Sequence, residues 1–408
     1  MNPNSMRKID YWVGRPICLL LTLVYKLQRL VGLKDSRPNQ EPKNFLFIEL
    51  AEMGSTVLAY PAMKQTREDF PKAKIYFLLF KQIRASMDII DFIPEENVFT
   101  IDESSIFTVT RDTLKFMWLS RWKKIDTTIN LEMFTRFGTI LSFLSGARKR
   151  VGFHRYHQEG LYVGDLLTHK VSYNPHIHSA HSFLALIEAL HAPSDQMPLV
   201  KFSVEDKRLE IPRRQIEDQG KNKIWSLLKN ENSNVDENKK LVLLNPNASK
   251  LISIRKWPLE NYATLAQKLL QDDNVFLAIT GVASEKPDAD YICDRVKNPR
   301  VMNLAGKTSL RDLLDLYQLG RVLITNDSGP AHFAALTPIH IVVFFGPETP
   351  KLYRPLTDNC TVMYSNFACS PCVSAFNQRL SSCNDNQCLK TIDVDRVYGT
   401  VKDVIARA

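Results

Sequence analysis

The 408-residue sequence has no long apolar run, and it is poor in glycine and cysteine. Its most apolar N-terminal stretch, residues 17–24, is far shorter than the roughly twenty residues that span a bilayer. With 15 glycines and 21 prolines, collagen-like and low-complexity classes are excluded. The hydrophobic share of 44% excludes an intrinsically disordered chain. An odd count of seven cysteines in so long a chain excludes a secreted disulfide scaffold.

Two phosphate-binding patterns are missing as well. The segment around Gly306 and Lys307 resembles the end of a P-loop, but the pattern needs glycine at position 301, which is Val301. No G-x-G-x-x-G follows a predicted strand, so the dinucleotide-binding fingerprint is absent too. Neither a P-loop nucleotide triphosphatase nor a dinucleotide-dependent enzyme is indicated.

What the chain has is an excess of positive charge, with 53 Lys and Arg against 44 Asp and Glu, a net charge of +9. This excess favours an anionic partner such as a phosphorylated ligand or a membrane surface. The basic residues are dispersed rather than arranged in a stripe, and no aromatic platform for bases is visible. Nucleic acid is therefore not expected as a partner.

Residues 7–34 predict an amphipathic helix with a basic and aromatic flank. Asp10 and the lack of a cleavage site argue against a signal peptide, so we expect the segment to be retained. One interpretation places the helix in the interface of the cytoplasmic leaflet. The alternative is that its apolar face packs on the protein's own core. Residues 35–44 predict a polar linker.

From Phe45 onward, strands alternate with helices, which predicts parallel sheets with helical crossovers. The predicted strands of the first half are 45–51, 74–80, 97–102, 125–132 and 150–153. Those of the second half are 241–247, 275–281, 322–327 and 339–346. The fold class is therefore α/β, with two Rossmann-like doubly wound domains expected to face each other across a cleft.

The pattern also divides the chain into segments. We expect an N-terminal helix and linker over 1–43, a first domain over 44–203 and a linker over 204–240. A second domain is expected over 241–390, followed by a C-terminal helix over 391–408.

The segment 324–336, ITNDSGPAHFAAL, predicts a buried strand that ends directly at a helix start. Free backbone N–H groups at such a start can bind an anion, and Pro330 loses no needed donor there. Asp327 could accept hydrogen bonds from sugar hydroxyls, and His332 lies one turn into the helix. The alternative is that Asp327 or Ser328 only caps the helix.

A second segment, beginning NPNASK at Asn245, places a serine and a basic pair after another predicted strand. Ser249 can donate to a phosphate, and Arg255 offers a planar fork of donors for diphosphate oxygens. The alternative is that Arg255 and Lys256 are an exposed basic pair on a loop.

Several motifs together resemble the heptosyltransferase family, glycosyltransferase family 9. They are NDSGPAH, NPNAS with RKWPLENYATLA, NLAGKTSL, FFGP, FIELAEMGSTVLAYPAMKQ and NLEMFTRFGTILSFLSGARKRVGFH. The resemblance covers about Phe45 to the C-terminus with the motifs in order. It implies a GT-B architecture, with an acceptor-binding first domain and a nucleotide-sugar-binding second domain. It also implies metal-independent, inverting transfer of a heptose from an ADP-linked donor to a glycan or lipid-linked acceptor, such as the lipopolysaccharide core.

The resemblance also assigns roles to individual positions. It implies phosphate contacts for Ser249 and Arg255, with Lys256 beside them, and nucleoside contacts for Glu285 and Thr308. The sugar-diphosphate loop is expected at Asp327, Ser328, Gly329 and His332.

One position departs from the family pattern. Members usually place an aspartate after the Met-Gly of the first turn, where it is the general base, whereas this chain has Met53-Gly54-Ser55. A serine cannot take the proton unaided. Glu52 and Glu49 are the nearest carboxylates, so either is a candidate base. A catalytically weakened protein that binds a nucleotide sugar or serves assembly is the alternative function.

Four cysteines near the C-terminus, Cys369, Cys372, Cys383 and Cys388, follow the pattern C-x2-C-x10-C-x4-C. Such spacing suits a structural zinc or iron ion bound by four thiolates. Reduced thiols or disulfides are the alternatives. No cofactor is expected for catalysis itself.

The expected location is the cytoplasm, peripheral on the inner face of the cytoplasmic membrane. The expected partners are a nucleotide-sugar donor, a glycan acceptor and the membrane surface. The sequence leaves the oligomeric state open, a homo-oligomer included.

Overall fold

The computed structural model describes residues 3–31, 41–133, 135–155, 160–193, 196, 198–201, 203, 209–248 and 250–407. The chain divides into two compact units. We call Met1–Glu210 with Ala375–Arg379 unit 1, and Ile211–Ser374 with Leu380–Ala408 unit 2. A short segment from the C-terminal part of the chain is thus counted with unit 1.

Within its described residues, unit 1 contains a six-stranded sheet and eight α-helices. Its strands are β1 Asn44–Ile48, β2 Lys74–Phe80, β3 Val98–Ile101, β4 Thr127–Asn130, β5 Lys149–His154 and β6 His169–Ser172. Its helices are α1 Pro3–Ile9, α2 Arg15–Leu30, α3 Met53–Leu58, α4 Tyr60–Asp69, α5 Ala85–Ile90, α6 Ile106–Trp122, α7 Phe137–Leu144 and α8 Ser179–Glu188.

All strand pairs of this sheet are parallel, in the order β3-β2-β1-β4-β5-β6. The central strand β1 reads NFLFI, and its last four residues are fully buried because helices cover both faces of a parallel sheet. The chain reverses its winding direction between β1 and β4. The carboxyl ends of these two strands are therefore the place where this fold class binds ligands.

Unit 2 repeats this arrangement. Its strands are β7 Lys240–Asn245, β8 Val275–Ile279, β9 Val301–Asn303, β10 Val322–Asn326, β11 His340–Phe345 and β12 Cys360–Tyr364. Its helices are α9 Asp218–Glu231, α10 Leu259–Leu269, α11 Lys286–Val296, α12 Leu310–Leu319, α13 Gly329–Ala334, α14 Pro350–Tyr353, α15 Gln387–Lys390 and α16 Val394–Arg407.

The order β12-β11-β10-β7-β8-β9 is again fully parallel, and it places the reversal of winding between β7 and β10. The two units therefore have the same topology, and the predicted class of two Rossmann-like doubly wound domains is confirmed.

Among the described residues, the predicted strands correspond to the inner strands of both sheets and to β3 at one edge, whereas three others were missed. β6, β9 and β12 each lie at a sheet edge and are only partly buried. They lack the continuous apolar run that reveals a buried strand. The stretch 204–240, interpreted as a linker, contains α9, whose Ile224 and Leu228 are buried at helical spacing.

The N-terminal helix has two apolar faces with different surroundings. α1, a π-helical turn at Asp10–Gly14, and α2 follow one another directly. Cys18 is fully buried and packs with Ile140 and Leu166 of the unit 1 core. Several apolar side chains on the other side of α2 are exposed, among them Leu19, Leu20, Leu23, Leu27 and Leu30. The alternative of packing on the protein's own core is therefore correct for one face of the helix.

A buried ion pair attaches this helix to unit 1. Arg136, whose side chain is 1% exposed, donates from Nη1 to Asp10 Oδ2 over 2.7 Å. The backbone N–H of Arg136 donates to the other carboxylate oxygen over 2.7 Å. The helix is thus an integral part of unit 1. Among the residues that the structure describes, no helix has both the length and the apolar character to span a bilayer.

We expect Asp10→Asn to destabilise the protein by about 3 kcal/mol, because it leaves the buried Arg136 guanidinium without its counter-charge. The control is Glu68→Gln in the same unit, where an exposed carboxylate lies 4.0 Å from Lys64. It should change the free energy of unfolding by less than about 0.5 kcal/mol. Denaturant titration measures both, and equal small effects would contradict a structural role for the pair.

Candidate functional site

In unit 2, polar side chains gather where the winding reverses, at the carboxyl ends of β7 and β10. Asn245 ends β7, and Asn326 and Asp327 end β10. The side chain of Asn326 accepts a hydrogen bond from the Trp257 backbone N–H over 2.8 Å and donates to the Asn247 carbonyl over 3.2 Å. These bonds join the loop after β7 to the end of β10.

Arg255 lies at this same edge and pairs with Asp327. Its Nη1 is 3.2 Å from Asp327 Oδ2, and both residues are buried. The Nε of Arg255 is also buried but has no hydrogen-bond partner among the described residues. A buried donor without a partner is costly unless a ligand supplies an acceptor. The interpretation of Arg255 as an exposed loop residue is therefore wrong.

The start of α13 lies directly beside this pair. Ser328 occupies the capping position in an extended conformation, but its side chain makes no capping hydrogen bond and donates instead to the Asn326 carbonyl over 3.2 Å. A Cβ built on Gly329 would meet nothing nearer than the Phe333 ring at 4.0 Å. The described surroundings of this turn are open to a ligand, and His332 is buried one turn further on.

The remaining residues expected to bind a donor lie on neighbouring loops. Glu285 accepts a hydrogen bond from the Val282 backbone N–H over 2.9 Å and so holds the turn after β8. Lys256 pairs with Asp288 over 2.6 Å. Thr308 is half-buried in the loop after β9. Ser249 lies outside the described residues.

In unit 1, three carboxylates gather at the carboxyl ends of β1 and β4. Glu49 and Glu52 follow β1, and Glu132 follows β4. Glu132 accepts a 2.7 Å hydrogen bond from the Leu50 backbone N–H, which connects the loops after the two strands. The parallel register of β1 with β4 brings these side chains close together.

This proximity changes how the carboxylates titrate. Burial, followed by the nearby charges of Glu132 and Glu52, raises the pKa of Glu49 well above its ordinary value. Burial, followed by the charge of Glu52, raises the pKa of Glu132 to about 7. Burial and these charges therefore favour the neutral form of Glu49, and Glu132 is shared between its two forms near neutral pH.

Glu52 has a different environment because two donors hold its carboxylate. Arg379, from the short C-terminal segment of unit 1, forms an ion pair with Glu52 Oε1. The Ser55 hydroxyl donates to Glu52 Oε2 over 3.0 Å. Met53 and Gly54 lie between Glu52 and Ser55 in the sequence, in the first turn of α3. Ser55 thus orients the neighbouring carboxylate.

A cavity of about 460 Å³ lies beside this cluster, within unit 1. Glu132 lines it together with residues at the ends of β5 and β6. Part of its wall is aromatic: the Tyr173 ring lies 5.6 Å from Phe153 and 5.9 Å from Phe376, centroid to centroid. Aromatic side chains beside carboxylates suit a polyhydroxylated ligand with apolar faces.

Two residues of this site were missed from the sequence. Glu132 ends the predicted strand 125–132, so its position after a buried strand was an available signal. Arg379 is far from Glu52 in the chain, and no local pattern indicates that the two meet.

The four C-terminal cysteines form no disulfide bond with any described residue. Burial, followed by the neighbouring Cys372, Cys369 and Cys383, raises the pKa of the Cys388 thiol to about 11. Within the described residues, no group of three or more histidine, cysteine or acidic side chains is arranged to hold a metal ion. The thiols are neighbours, but a metal site at them is left as a proposal.

Comparison with known proteins decides the family. The model of glycosyltransferase family 9 (heptosyltransferase) matches residues 123–381, more than half of the chain. The protein belongs to glycosyltransferase family 9. The family suggested by the sequence motifs is therefore confirmed.

Individual members of glycosyltransferase family 9 show how far the similarity extends. Lipooligosaccharide heptosyltransferase 2 of Campylobacter jejuni serotype O:2 is 27% identical over 174 residues, 41% of this chain and 51% of that protein. The chain therefore matches this relative over about half of its length. Lipopolysaccharide core heptosyltransferase OpsX of Haemophilus influenzae is 21% identical over 332 residues, 81% of this chain and 87% of the relative.

A solved family member has the same fold. The structure of the E. coli ADP-heptose lipopolysaccharide heptosyltransferase II superposes with a TM-score of 0.67 at 17% identity, over 89% of this chain and 99% of that one. This likeness confirms the GT-B fold class that the motifs implied.

We expect Glu132→Gln to stabilise this family 9 protein at pH 8 but not at pH 5. Because the folded-state pKa of about 7 exceeds the ordinary 4.5, the folded state loses stability as pH rises through this interval. Glutamine carries no charge and so avoids this loss of folding free energy, on the order of 3 kcal/mol. Its side-chain oxygen can still accept the hydrogen bond from the Leu50 backbone N–H. Urea unfolding at both pH values measures the difference. The control is the exposed Glu96→Gln, and a gain that is equal at pH 5 and pH 8 would contradict the titration.

Proposed function

We propose that the protein is an inverting glycosyltransferase that transfers a heptose from ADP-heptose to a glycan acceptor of the lipopolysaccharide type. The names of its relatives and of the solved E. coli enzyme support this substrate class. The observation that carries the proposal is the buried Arg255–Asp327 pair at the reversal point of unit 2, with the unpartnered Arg255 Nε beside the open start of α13.

The donor is assigned to unit 2. The Arg255 Nε and the backbone N–H groups of Ser328 and Gly329 bind the diphosphate, with Asp327 holding the guanidinium in place and accepting from sugar hydroxyls. His332 and Lys256 flank the phosphates. Glu285 and Thr308 contact the nucleoside from the loops after β8 and β9. No catalytic metal is needed, because these groups meet the charge of the leaving ADP.

The acceptor is assigned to unit 1 and its cavity, and Glu52 is the general base. Glu52 takes the proton of the acceptor hydroxyl, whose oxygen bonds to the anomeric carbon as the bond to the ADP oxygen breaks. The leaving electron pair stays on the diphosphate. Arg379 and Ser55 hold the Glu52 carboxylate in place. Glu49 is the weaker candidate because burial raises its pKa and so favours the neutral form, which cannot accept a proton.

The protein works at the cytoplasmic face of the inner membrane, with its N-terminal helix in the lipid interface. The exposed leucines of α2, beside Lys26 and Arg29, support this placement. The acceptor lipid of such a reaction lies in the same membrane.

Turnover tests the function. Incubation of the purified chain with ADP-heptose and a deep-core lipopolysaccharide acceptor should release ADP, and Glu52→Gln should lower kcat by about 10²- to 10⁴-fold, because a general base contributes this much. Glu49→Gln should retain most activity, since burial raises the pKa of Glu49 and glutamine resembles the neutral acid that this favours. Coupled ADP detection measures both rates.

Each result has a distinct meaning. No ADP release by the wild-type chain from any nucleotide sugar, together with tight ADP-heptose binding, would favour the catalytically weakened protein. If Glu52→Gln kept full activity and Glu49→Gln lost it, Glu49 would be the general base, and the transferase function would still stand.

A structural zinc or iron ion at Cys369, Cys372, Cys383 and Cys388 is a second proposal, supported by the mutual proximity of these thiols. Elemental analysis of protein purified without chelator should find about one metal ion per chain, as a four-thiolate site binds one ion. The Cys372→Ser/Cys383→Ser variant should lose the metal, and Cys293→Ser, outside the cluster, should keep it. Metal-free wild-type protein would refute the site.

A further inference from the structure

The helix α6 of unit 1 presents a second exposed apolar face, apart from the N-terminal helix. Its buried side chains, Phe116 and Ser120, and a capping box at Ser105 define which side faces the core. On the opposite side are large side chains that are between 61% and 74% exposed: Phe107, Leu114, Trp118 and Trp122. Their successive spacings of seven, four and four residues place them on one face.

Two tryptophans form the centre of this face. The rings of Trp118 and Trp122 stack with centroids 5.8 Å apart and an angle of 8° between their planes. Each is 63% exposed. Contiguous exposed aromatic surface of this kind on a folded protein marks an interaction site.

Basic residues surround the tryptophans, which indicates the chemistry of the partner. Arg111, Lys115 and Arg121 are exposed on α6, and the Lys123 ammonium lies 5.1 Å from the centre of the Trp122 ring. The acidic residue of this helix, Asp112, is 13% exposed and pairs with Arg111. Tryptophan beside lysine and arginine matches the interface of a bilayer that contains anionic lipid.

The face of α6 borders that of the N-terminal helix. Tyr25 of α2 contacts Phe143, with ring centroids 5.8 Å apart. Arg121 of α6 donates from Nη1 to the backbone carbonyl of Leu144, the residue after Phe143, over 2.9 Å. Both helices therefore reach the same end of α7.

We propose that α6 is a second membrane-docking element, which inserts Trp118 and Trp122 into the interface of an anionic phospholipid bilayer. Arg111, Lys115 and Arg121 contact the lipid phosphates around them. A bilayer fits this surface better than a second copy of the chain, because a symmetric contact would bring the two basic rims together. The proposal concerns membrane binding and does not depend on the sugar transferred.

The test is sedimentation of the full-length chain with lipid vesicles. Wild-type protein should bind phosphatidylcholine vesicles that contain about one third phosphatidylglycerol and bind pure phosphatidylcholine weakly. Trp118→Ser/Trp122→Ser should lower the partition coefficient about tenfold, through the lost insertion of two aromatic side chains. Val282→Ser, which changes a 61% exposed residue of unit 2, is the matched control and should bind as the wild type does.

A second variant separates charge from insertion. Arg111→Gln/Lys115→Gln should reduce the preference for phosphatidylglycerol and its sensitivity to salt. Unchanged vesicle binding by the tryptophan variant, with an unchanged thermal melt, would overturn the proposal. A tryptophan variant that loses self-association in sedimentation velocity but keeps vesicle binding would instead assign the face to a second copy.

Discussion

The reversal of winding in each parallel sheet is the constraint on which the rest of this molecule depends. Between β1 and β4, and again between β7 and β10, neighbouring strands send their following helices in opposite directions. The loops at these two points diverge and form a crevice at the carboxyl ends of the strands. Polar side chains in this crevice are not packed inside the sheet and can contact a ligand. Glu49, Glu52 and Glu132 occupy one such point, and Arg255 with Asp327 occupies the other.

The two points have opposite electrostatic character. In unit 1 burial and the neighbouring carboxylates raise the pKa of Glu49 and of Glu132, so the cluster holds less negative charge at neutral pH than its composition suggests. Arg379 pairs with Glu52, and Glu52 is the member of the cluster to which we assign proton transfer. In unit 2 a buried guanidinium with a free donor favours an anion. A base at one site and an anion-binding group at the other are the two parts that metal-free sugar transfer from a diphosphate donor needs.

The N-terminal helix buries one apolar face in unit 1 and exposes another. Cys18 and the Asp10–Arg136 pair attach one face to the core of unit 1, while the leucines of the other face stay exposed. With α6 beside it, the helix belongs to a surface rich in tryptophan, leucine and basic side chains. In a peripheral enzyme whose acceptor is a membrane lipid, such a surface would bind the bilayer next to the acceptor.

The sequence by itself determined the α/β class, the central strands and the donor-side segments, because long apolar runs and strand-to-helix turns are local patterns. It also indicated Glu52 and Glu49 as candidate bases, because both lie near the end of the first predicted strand. The edge strands β6, β9 and β12 were not predicted, since each is only partly buried and lacks a continuous apolar run, whereas the edge strand β3 was predicted. Tertiary structure alone decided that Glu132 meets Glu49, that Arg379 reaches Glu52 and that Arg255 pairs with Asp327, because each contact joins residues far apart in the chain. The same holds for the outward side of α6, since an apolar face shows its exposure only once the core is known.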